Sequence, residues 1–360
     1  GHMVAGRDRL RRRVPPAPAL GGDDAKTGPM GILPWFGGVV ASPNGMEDKG
    51  DIVRTLMLLG NLYVGGAERT ALELAAGLRQ RGQDVRVASL SAKGSLGTAL
   101  RKAGIPLYEG LLRFRYDMTA AWRIAKLIRR EEIDTLILVD IYRNAMFCGL
   151  WGAKLSGRNV RTVLWCSAVP TGQAGDFTPR IRRYLRRGML HDIVCVSDWQ
   201  RNMLKEYDIP AERMHTIHNG VDIKRFAAAS PAFLPGPAEA PAVLQVANVM
   251  PDKDFGTLLS AAALLREQGV AFRLFLAGRD TDSPAMRNEI ARRNIHECTF
   301  PLGMCDNISS FLAAAEVVVL ATRSEVFNIA VLEAMASSRP VVVSDVPGFA
   351  EMFDSEREGL

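Results

Sequence analysis

The chain has 360 residues, of which 48% are hydrophobic, and this length favours two domains over a single core. No apolar run of about eighteen residues occurs, so the sequence predicts no transmembrane helix. The net charge is +6, and the five cysteines include no CxxC pair, which favours reduced thiols and argues against a cysteine-bound metal.

Residues 1–50 start with Gly1-His2-Met3, which is typical of a cloning tag. The rest of this segment is rich in Pro, Gly and Ala and shows little periodicity. Such a composition buries too little apolar surface to order the chain, so we expect a disordered leader. Folded structure is predicted to begin near Asp51, and a first domain to occupy residues 51–226.

The first predicted strand, 52–59, runs into a glycine-rich loop that ends at Gly65 and Gly66, and a helix is predicted at 67–81. The spacing does not match the GxGxxG fingerprint of dinucleotide-binding folds. Glycines at this point let the backbone approach a ligand closely, although a tight turn explains them equally well.

The alternation of strands and helices continues and predicts a parallel sheet covered by helices on both faces. Polar side chains follow the strand at 135–139, namely Asp140, Tyr142, Arg143 and Asn144, and loops at this edge should line a site. Asp198 is expected to cap or precede a helix at 199–206. Further strands are predicted at 85–89, 105–108, 160–165 and 192–197, and further helices at 95–103 and 118–130.

Two basic groups account for much of the positive charge. They indicate either solvated helix faces or contact with anionic lipid headgroups or an anionic acceptor. The string RIRRYLRRGML mixes Ile181, Tyr184, Leu185 and Leu190 with arginines, which suits a membrane-surface helix. No motif for nucleic acid accompanies the charge. The groups are Arg113, Arg115, Arg123, Lys126, Arg129 and Arg130, and Arg180, Arg182, Arg183, Arg186 and Arg187.

A linker with four prolines is predicted at 227–241, and a second domain at 242–360. In this domain the strand at 243–246 leads through a loop containing Asn248 and Lys253 to a helix at 255–268. The remaining strands are predicted at 272–277, 297–300, 302–303, 317–320 and 341–343, and a helix at 308–315.

The most informative stretch is 316–339, where a short buried strand, a polar turn and a helix follow one another. The free backbone amides near Phe327, Asn328 and Ile329 would form a phosphate site at the helix start. Glu325, in the turn, would then face a sugar hydroxyl, and Glu333 could hold the diol of a ribose. The alternative is that both are ordinary surface glutamates.

Four strings carry a family resemblance: GGAERTALELAAGLRQRGQDV, MHTIHNGVDIKRF, SEVFNIAVLEAMA and PVVVSDVPGFAE. They resemble the retaining glycosyltransferases of family 4 over about residues 52–360. The resemblance implies an α/β chain of the GT-B fold, in which two Rossmann-like domains with parallel sheets face each other across a cleft. The first domain would take the acceptor and the second the nucleotide sugar.

The resemblance also implies roles for individual residues. Gly65 and Gly66 would bind diphosphate or acceptor, and Lys253 matches a lysine that clamps the donor diphosphate. The chain departs from the family at Asn248, where an arginine is usual. It also lacks the histidine that many members carry after a strand of the first domain, which leaves Asp140, with Arg143, as the acceptor-side candidate. The catalytic candidates are therefore Glu325, Lys253 and Asp140.

At His218 the family usually has proline, so we expect a loop histidine and no catalytic base there. The implied reaction transfers a hexose from a UDP- or GDP-sugar to a glycan or lipid-linked acceptor, with retention and without metal or cofactor. The implied setting is polysaccharide assembly in a bacterial cytoplasm, with peripheral contact to the inner face of the plasma membrane.

Two other functions fit the same sequence, a non-catalytic nucleotide-sugar-binding protein and a GT-B-fold epimerase. Family members continue for tens of residues beyond EREGL, the last residues here. The resemblance therefore implies a truncated chain of reduced stability or activity.

Overall fold

The computed structural model describes residues 52–63, 65–114, 116–139, 143–168 and 176–353. Two parallel β-sheets, of seven and five strands, organise these residues into two α/β units. This architecture confirms the fold class predicted from the alternating pattern.

The first unit contains the seven-stranded sheet. Its strands are β1 (Arg54–Leu59), β2 (Asp84–Ser89), β3 (Leu107–Tyr108), β4 (Thr135–Val139), β5 (Arg161–Cys166), β6 (Asp192–Cys195) and β7 (Met214–Thr216). Its helices are α1 (Gly66–Gln80), α2 (Leu96–Lys102), α3 (Thr119–Arg130), α4 (Arg143–Leu155), α5 (Thr178–Arg186) and α6 (Asp198–Glu206).

The second unit contains the five-stranded sheet. Its strands are β8 (Ala242–Val246), β9 (Arg273–Ala277), β10 (Thr299–Gly303), β11 (Val317–Leu320) and β12 (Val341–Val343). The remaining helices are α7 (Ile223–Ala227), α8 (Phe255–Glu267), α9 (Pro284–Arg292), α10 (Ile308–Ala314), α11 (Ile329–Ala336) and α12 (Pro347–Ala350).

The strand order is β3-β2-β1-β4-β5-β6-β7 in the first sheet and β10-β9-β8-β11-β12 in the second. In each sheet the chain reverses its direction of winding beside the first strand, between β1 and β4 and between β8 and β11. Ligands of open parallel sheets bind outside the carboxyl ends of the strands at such a reversal. The loops after β1, β8 and β11 therefore lie where a site is expected.

Buried apolar strands form the core of the first unit. Leu56, Met57 and Leu58 in β1 are fully buried and point alternately to the two faces of the sheet. Helices α3, α4 and α5 cover one face, and α1 and α2 cover the other. Val326 and Phe327, from the loop after β11, pack against the α1 face. The second unit thus contributes apolar side chains to a core of the first.

The chain passes from the first sheet to the second core within a few residues. The first sheet ends at β7, and Phe226 in α7 is already buried among the side chains of the second unit. The two units also meet around Phe327, whose ring stacks on His218 with centroids 4.9 Å apart and whose carbonyl oxygen accepts a hydrogen bond from Asn219 Nδ2 (3.0 Å). His218 is therefore an interface residue.

The amino terminus of α6 is capped differently from the prediction. Ser197, not Asp198, is the N-cap, because its hydroxyl oxygen accepts the amide hydrogen bond of Gln200 (3.1 Å). In addition, the carboxylate of Glu351 accepts hydrogen bonds from the amides of Asp198 (2.9 Å) and Trp199 (2.6 Å). An acidic side chain of the second unit thus satisfies the start of a helix in the first.

The apolar side of α5 does not face outward as a membrane-surface helix requires. Ile181 and Leu190 are buried, and Tyr184 and Leu185 pack against the core of the first unit. The alternation of apolar and basic residues is that of an amphipathic helix on its own domain. Only its arginines remain available to a partner.

None of the helices in the described ranges is long and apolar enough to cross a bilayer. No disulfide links the five cysteines, all of which lie in the described ranges; Cys148, Cys166 and Cys195 are buried, and Cys298 and Cys305 are half-buried. Burial raises the pKa of Cys148 to about 11 and that of Cys195 to about 12.

Candidate active site

The loop between β11 and α11 places Glu325 and Asn328 side by side. Asn328 is the N-cap of α11, and its Oδ1 accepts from the amide of Val331 (3.1 Å). Its Nδ2 donates to Glu325 Oε2 (2.9 Å). Asn328 therefore caps the amino terminus of α11 and orients the Glu325 carboxylate. The backbone amides of the first turn have no acceptor within the helix backbone.

Lys253 pairs directly with Glu325 through its ammonium group. Both side chains are only 15% exposed, so the pair is largely shielded from water. Two hydrogen bonds tie the Lys253 loop to the loop after β11: Arg323 N donates to Asp252 O (2.8 Å), and Asp254 N donates to Ala321 O (3.0 Å). The predicted cation and the predicted sugar-orienting acid are thus brought together.

Gly348 presses against the backbone that carries Glu325. A Cβ atom at Gly348 would lie 2.1 Å from the carbonyl oxygen of Glu325. Only glycine permits this approach of α12 to the loop, because any side chain would displace the carbonyl group.

Glu333 lies on α11 and faces the first unit. Its side chain is 6% exposed, and its Oε1 is 3.2 Å from Nη1 of Arg69 on α1. Burial raises the pKa of Glu333, the guanidinium of Arg69 opposes this rise, and Glu73 adds to it. Arg69 also lies 3.4 Å from Glu73 and joins both acids. Glu333 therefore lies where the two units meet, and the region between α1 and α11 is called the groove below.

The glycine loop meets the start of α11 across this groove. Gly65 is the N-cap of α1 and has an extended backbone, and Gly66 is the first residue of the helix. A Cβ atom at Gly66 would lie 3.3 Å from Cδ1 of Ile329, the first residue of α11. Two helix amino termini therefore converge, and the positive end of a helix dipole suits a diphosphate. The carboxylate of Glu68, in the first turn of α1, also lies beside Gly65 and opposes this effect.

Asn248 connects two loops at the carboxyl edge of the second sheet. Its Oδ1 accepts from the amide of Arg279 (2.9 Å), and the amide of Val249 donates to the Arg279 carbonyl oxygen (2.9 Å). The Arg279 guanidinium is 42% exposed and its Nε is 3.8 Å from Asp280. Arg279, in the loop after β9, thus lies beside Asn248, the position at which the family usually has an arginine.

Arg69 and Arg279 were not predicted from the sequence. Arg69 stands four residues before Glu73, a spacing that also describes a solvated ion pair on one helix. Asp140 and Tyr142 lie outside the described residues, and for Arg143 only the helical backbone is described. The roles expected of Asp140 and Arg143 therefore stay predictions.

Two family models match the chain: Glycosyltransferase Family 4 over residues 64–225 and Glycosyl transferases group 1 over residues 240–360. WcaL of Escherichia coli K12, which is named for colanic acid biosynthesis, is 27% identical over 191 residues, or 51% of this chain and 46% of the relative. The match thus spans about half the length of that curated relative.

A longer match joins the chain to N-acetyl-alpha-D-glucosaminyl L-malate synthase of Bacillus anthracis, with 22% identity over 300 residues, 80% of this chain and 78% of the relative. Among solved structures, HepE of Anabaena in complex with UDP and glucose superposes with a TM-score of 0.70 at 19% identity. The superposition covers 84% of this chain and 83% of HepE. The similarity confirms the GT-B fold.

Proposed function

The chain belongs to the family 4 type of GT-B glycosyltransferases, and from this premise we propose that it transfers a hexose from a nucleotide diphosphate sugar to an acceptor hydroxyl with retention of anomeric configuration. The observation that carries the proposal is the convergence of the amino termini of α1 and α11 beside Lys253, Glu325 and Glu333. A diphosphate, a hexose and a ribose would each find a matching group there.

The diphosphate would lie beside the two helix starts. Negative charge builds up on the leaving phosphate as the glycosidic bond breaks, and groups that stabilise this charge only in the transition state accelerate the reaction. The amides of the first turns of both helices and the ammonium of Lys253 supply that stabilisation. The fold neighbour HepE, which was crystallised with UDP and glucose, supports a nucleotide-sugar donor.

Glu325 would orient the hexose. An ionised carboxylate only accepts hydrogen bonds, and the hydroxyls of a sugar are donors that can satisfy it. Lys253 and the Asn328 amide hold the carboxylate in place. Sugar hydroxyls entering here would insert into an existing polar network.

Glu333 would accept hydrogen bonds from the two ribose hydroxyls. In the structure Arg69 lies beside it and compensates its charge within the groove. Arg69 therefore would stabilise the anionic form of Glu333 that the ribose requires.

The reaction would proceed on one face of the sugar, and no protein nucleophile is assigned. The acceptor oxygen forms the new bond to the anomeric carbon, the bond to the diphosphate oxygen breaks, and that phosphate oxygen takes the acceptor proton. Asp140 is proposed to contact the acceptor. Closure of the groove would exclude water and limit hydrolysis of the donor.

The acceptor is proposed to be a glycan or a lipid-linked glycan at the inner face of a bacterial plasma membrane. The name of WcaL, which refers to the biosynthesis of the polysaccharide colanic acid, supports this setting.

Release of UDP or GDP from a panel of sugar nucleotides tests the proposal. We expect release from one donor by the unaltered chain and a loss of at least about 100-fold in Glu325→Ala. Glu297→Ala, at a carboxylate that is 74% exposed away from the groove, is the matched control and should not change the rate. Tight nucleotide binding without release would instead identify a non-catalytic binder, and conversion of the sugar on the intact nucleotide would identify an epimerase.

A further inference from the structure

An apolar patch stands out from the first unit between β3 and α3. It consists of Phe114, Tyr116, Met118 and Trp122, whose exposed fractions are 64%, 75%, 63% and 61%. Four large apolar side chains within nine residues are seldom all exposed, and exposed apolar groups of this kind mark interaction surfaces.

Asp117 stabilises the described part of the loop that carries the patch. Asp117 is 3% exposed and accepts hydrogen bonds from the amides of Arg113 (3.0 Å) and Thr119 (3.0 Å), from the Thr119 hydroxyl and from the guanidinium of Arg123. Arg123 Nε in turn donates to the carbonyl oxygen of Leu111 (2.8 Å). These hydrogen bonds hold Arg113, Thr119 and Arg123 around Asp117. The apolar side chains next to Asp117 in sequence stay exposed.

Helix α3 continues the patch as a stripe. Met118, Trp122, Lys126 and Arg129 follow at helical spacing and are all exposed, whereas Ala121, Ile124, Ala125 and Ile128 are buried against the sheet. The outward face of α3 is therefore apolar at its start and cationic at its end.

The charge around the patch is mainly positive. Exposed Arg113 precedes it. Arg183 and Arg186 of α5, with Arg187 directly after the helix, lie on the helical layer that covers the same face of the sheet. The nearby acids are already engaged: Asp117 by Arg123, Glu109 by Arg101 and Glu131 by Arg86 and Arg130. Two copies meeting face to face through this patch would bring like charges together, which disfavours self-association.

We propose that the apolar patch inserts into the surface of an anionic membrane, while Arg113, Lys126 and Arg129 contact the lipid headgroups. Tyr and Trp place an apolar ring and a polar tip at the level of the headgroups, and basic side chains extend to the phosphates above an inserted apolar face. The arginines of α5 add long-range attraction but no insertion, because the apolar side of α5 is inside the domain.

The position of the patch connects it to the reaction. Its loop leaves β3 at the carboxyl edge of the first sheet, the edge that also carries Gly65 and Gly66. A chain docked through this loop would face the membrane with the acceptor side of the groove. A lipid-linked acceptor follows from this position, and that step rests on the proposed function. Membrane docking itself does not depend on the proposed function.

Co-sedimentation of the full chain with phosphatidylcholine vesicles, with and without phosphatidylglycerol, tests the docking surface. We expect binding to the anionic vesicles that weakens with added salt, and much weaker binding to neutral ones. The double variant Phe114→Ser/Trp122→Ser should bind at least about tenfold more weakly, because it removes the insertion. Phe233→Ser is the matched control, since Phe233 is 91% exposed outside the patch, and it should bind as the unaltered chain does.

Three results would overturn the proposal: no binding of the unaltered chain to anionic vesicles, undiminished binding of the double variant, or a dimer in sedimentation velocity that the double variant dissociates. Nucleotide release in water without vesicles is measured on the same samples and should be equal in all variants. Vesicle binding without nucleotide release would refute the proposed function but not the docking surface. Nucleotide release without vesicle binding would refute the docking surface but not the proposed function.

Discussion

Removal of Arg69 should destabilise the protein in a pH-dependent manner. In Arg69→Ala, Glu333 loses the guanidinium 3.2 Å from its Oε1 while its side chain stays 6% exposed. A buried carboxylate without this partner either destabilises the folded state, because its charge is desolvated, or takes up a proton. The variant therefore converts a compensated carboxylate into an uncompensated one.

The sign follows from the raised pKa of Glu333, whose first cause is burial. A carboxyl group with a raised pKa in the folded state binds more protons there than in the unfolded chain, so the free energy of unfolding falls as pH rises from about 4.5 through the folded pKa. Without Arg69 this pKa rises further, which deepens the fall and extends it to higher pH.

The magnitude follows from the burial of both partners. Breaking a buried ion pair by removing one partner costs about 3–5 kcal/mol. Arg69 is 24% exposed, so water can enter the space it leaves, and we expect a loss of about 2 kcal/mol near pH 8 and a smaller loss near pH 5.

Urea unfolding near pH 5 and near pH 8 measures this difference. Arg69→Ala/Glu333→Gln should recover most of the loss near pH 8, because the amide carries no charge to desolvate. Arg266→Ala, which removes a half-exposed partner of Glu297, is the control and should change stability little at either pH. An equal loss at both pH values, or a double variant no more stable than Arg69→Ala, would refute the reasoning.

Three further variants probe the groove by steady-state kinetics with the donor identified by nucleotide release. Lys253→Ala should lower kcat about 100-fold, with partial recovery in Lys253→Arg, and an unchanged kcat would remove Lys253 from the reaction. Gly348→Ala should lower turnover more than tenfold by displacing Glu325, whereas Gly77→Ala, where a Cβ meets no atom within 4 Å, should be neutral; equal activity of both would contradict the packing argument. Arg279→Ala should raise the donor KM about tenfold at constant kcat, and an unaltered KM would show that Arg279 does not serve the donor.

The strand pattern predicted the α/β architecture, because parallel strands buried on both faces are continuous apolar runs. The strands at 135–139, 317–320 and 341–343 were found with their observed bounds. Helix α4 was missed because it follows a polar cluster directly and contains Gly149 and Gly152, which weaken the helical pattern. The segments predicted at 297–300 and 302–303 are one strand with an irregular register between Pro301 and Gly303.

The candidate site was predicted in part. Lys253 and Glu325 were each identified from motifs that follow adjacent strands, but their pairing was not predicted. The contact between Arg69 and Glu333 joins distant parts of the chain, and no local pattern distinguishes it from the pairing of Arg69 with Glu73. In the same way, amphipathic periodicity could not show that the apolar side of α5 meets its own core while Phe114 and Trp122 face water.

Nucleotide affinity with and without the ribose hydroxyls tests the central claim most directly. Calorimetry would compare UDP or GDP, whichever binds, with its 2′-deoxy and 3′-deoxy forms, for the unaltered chain and for Glu333→Ala. We predict that the unaltered chain loses about tenfold in affinity for each missing hydroxyl, and that Glu333→Ala binds all three forms equally weakly. Retention of the discrimination in Glu333→Ala would contradict the assignment of the groove to a nucleotide sugar held by this acid.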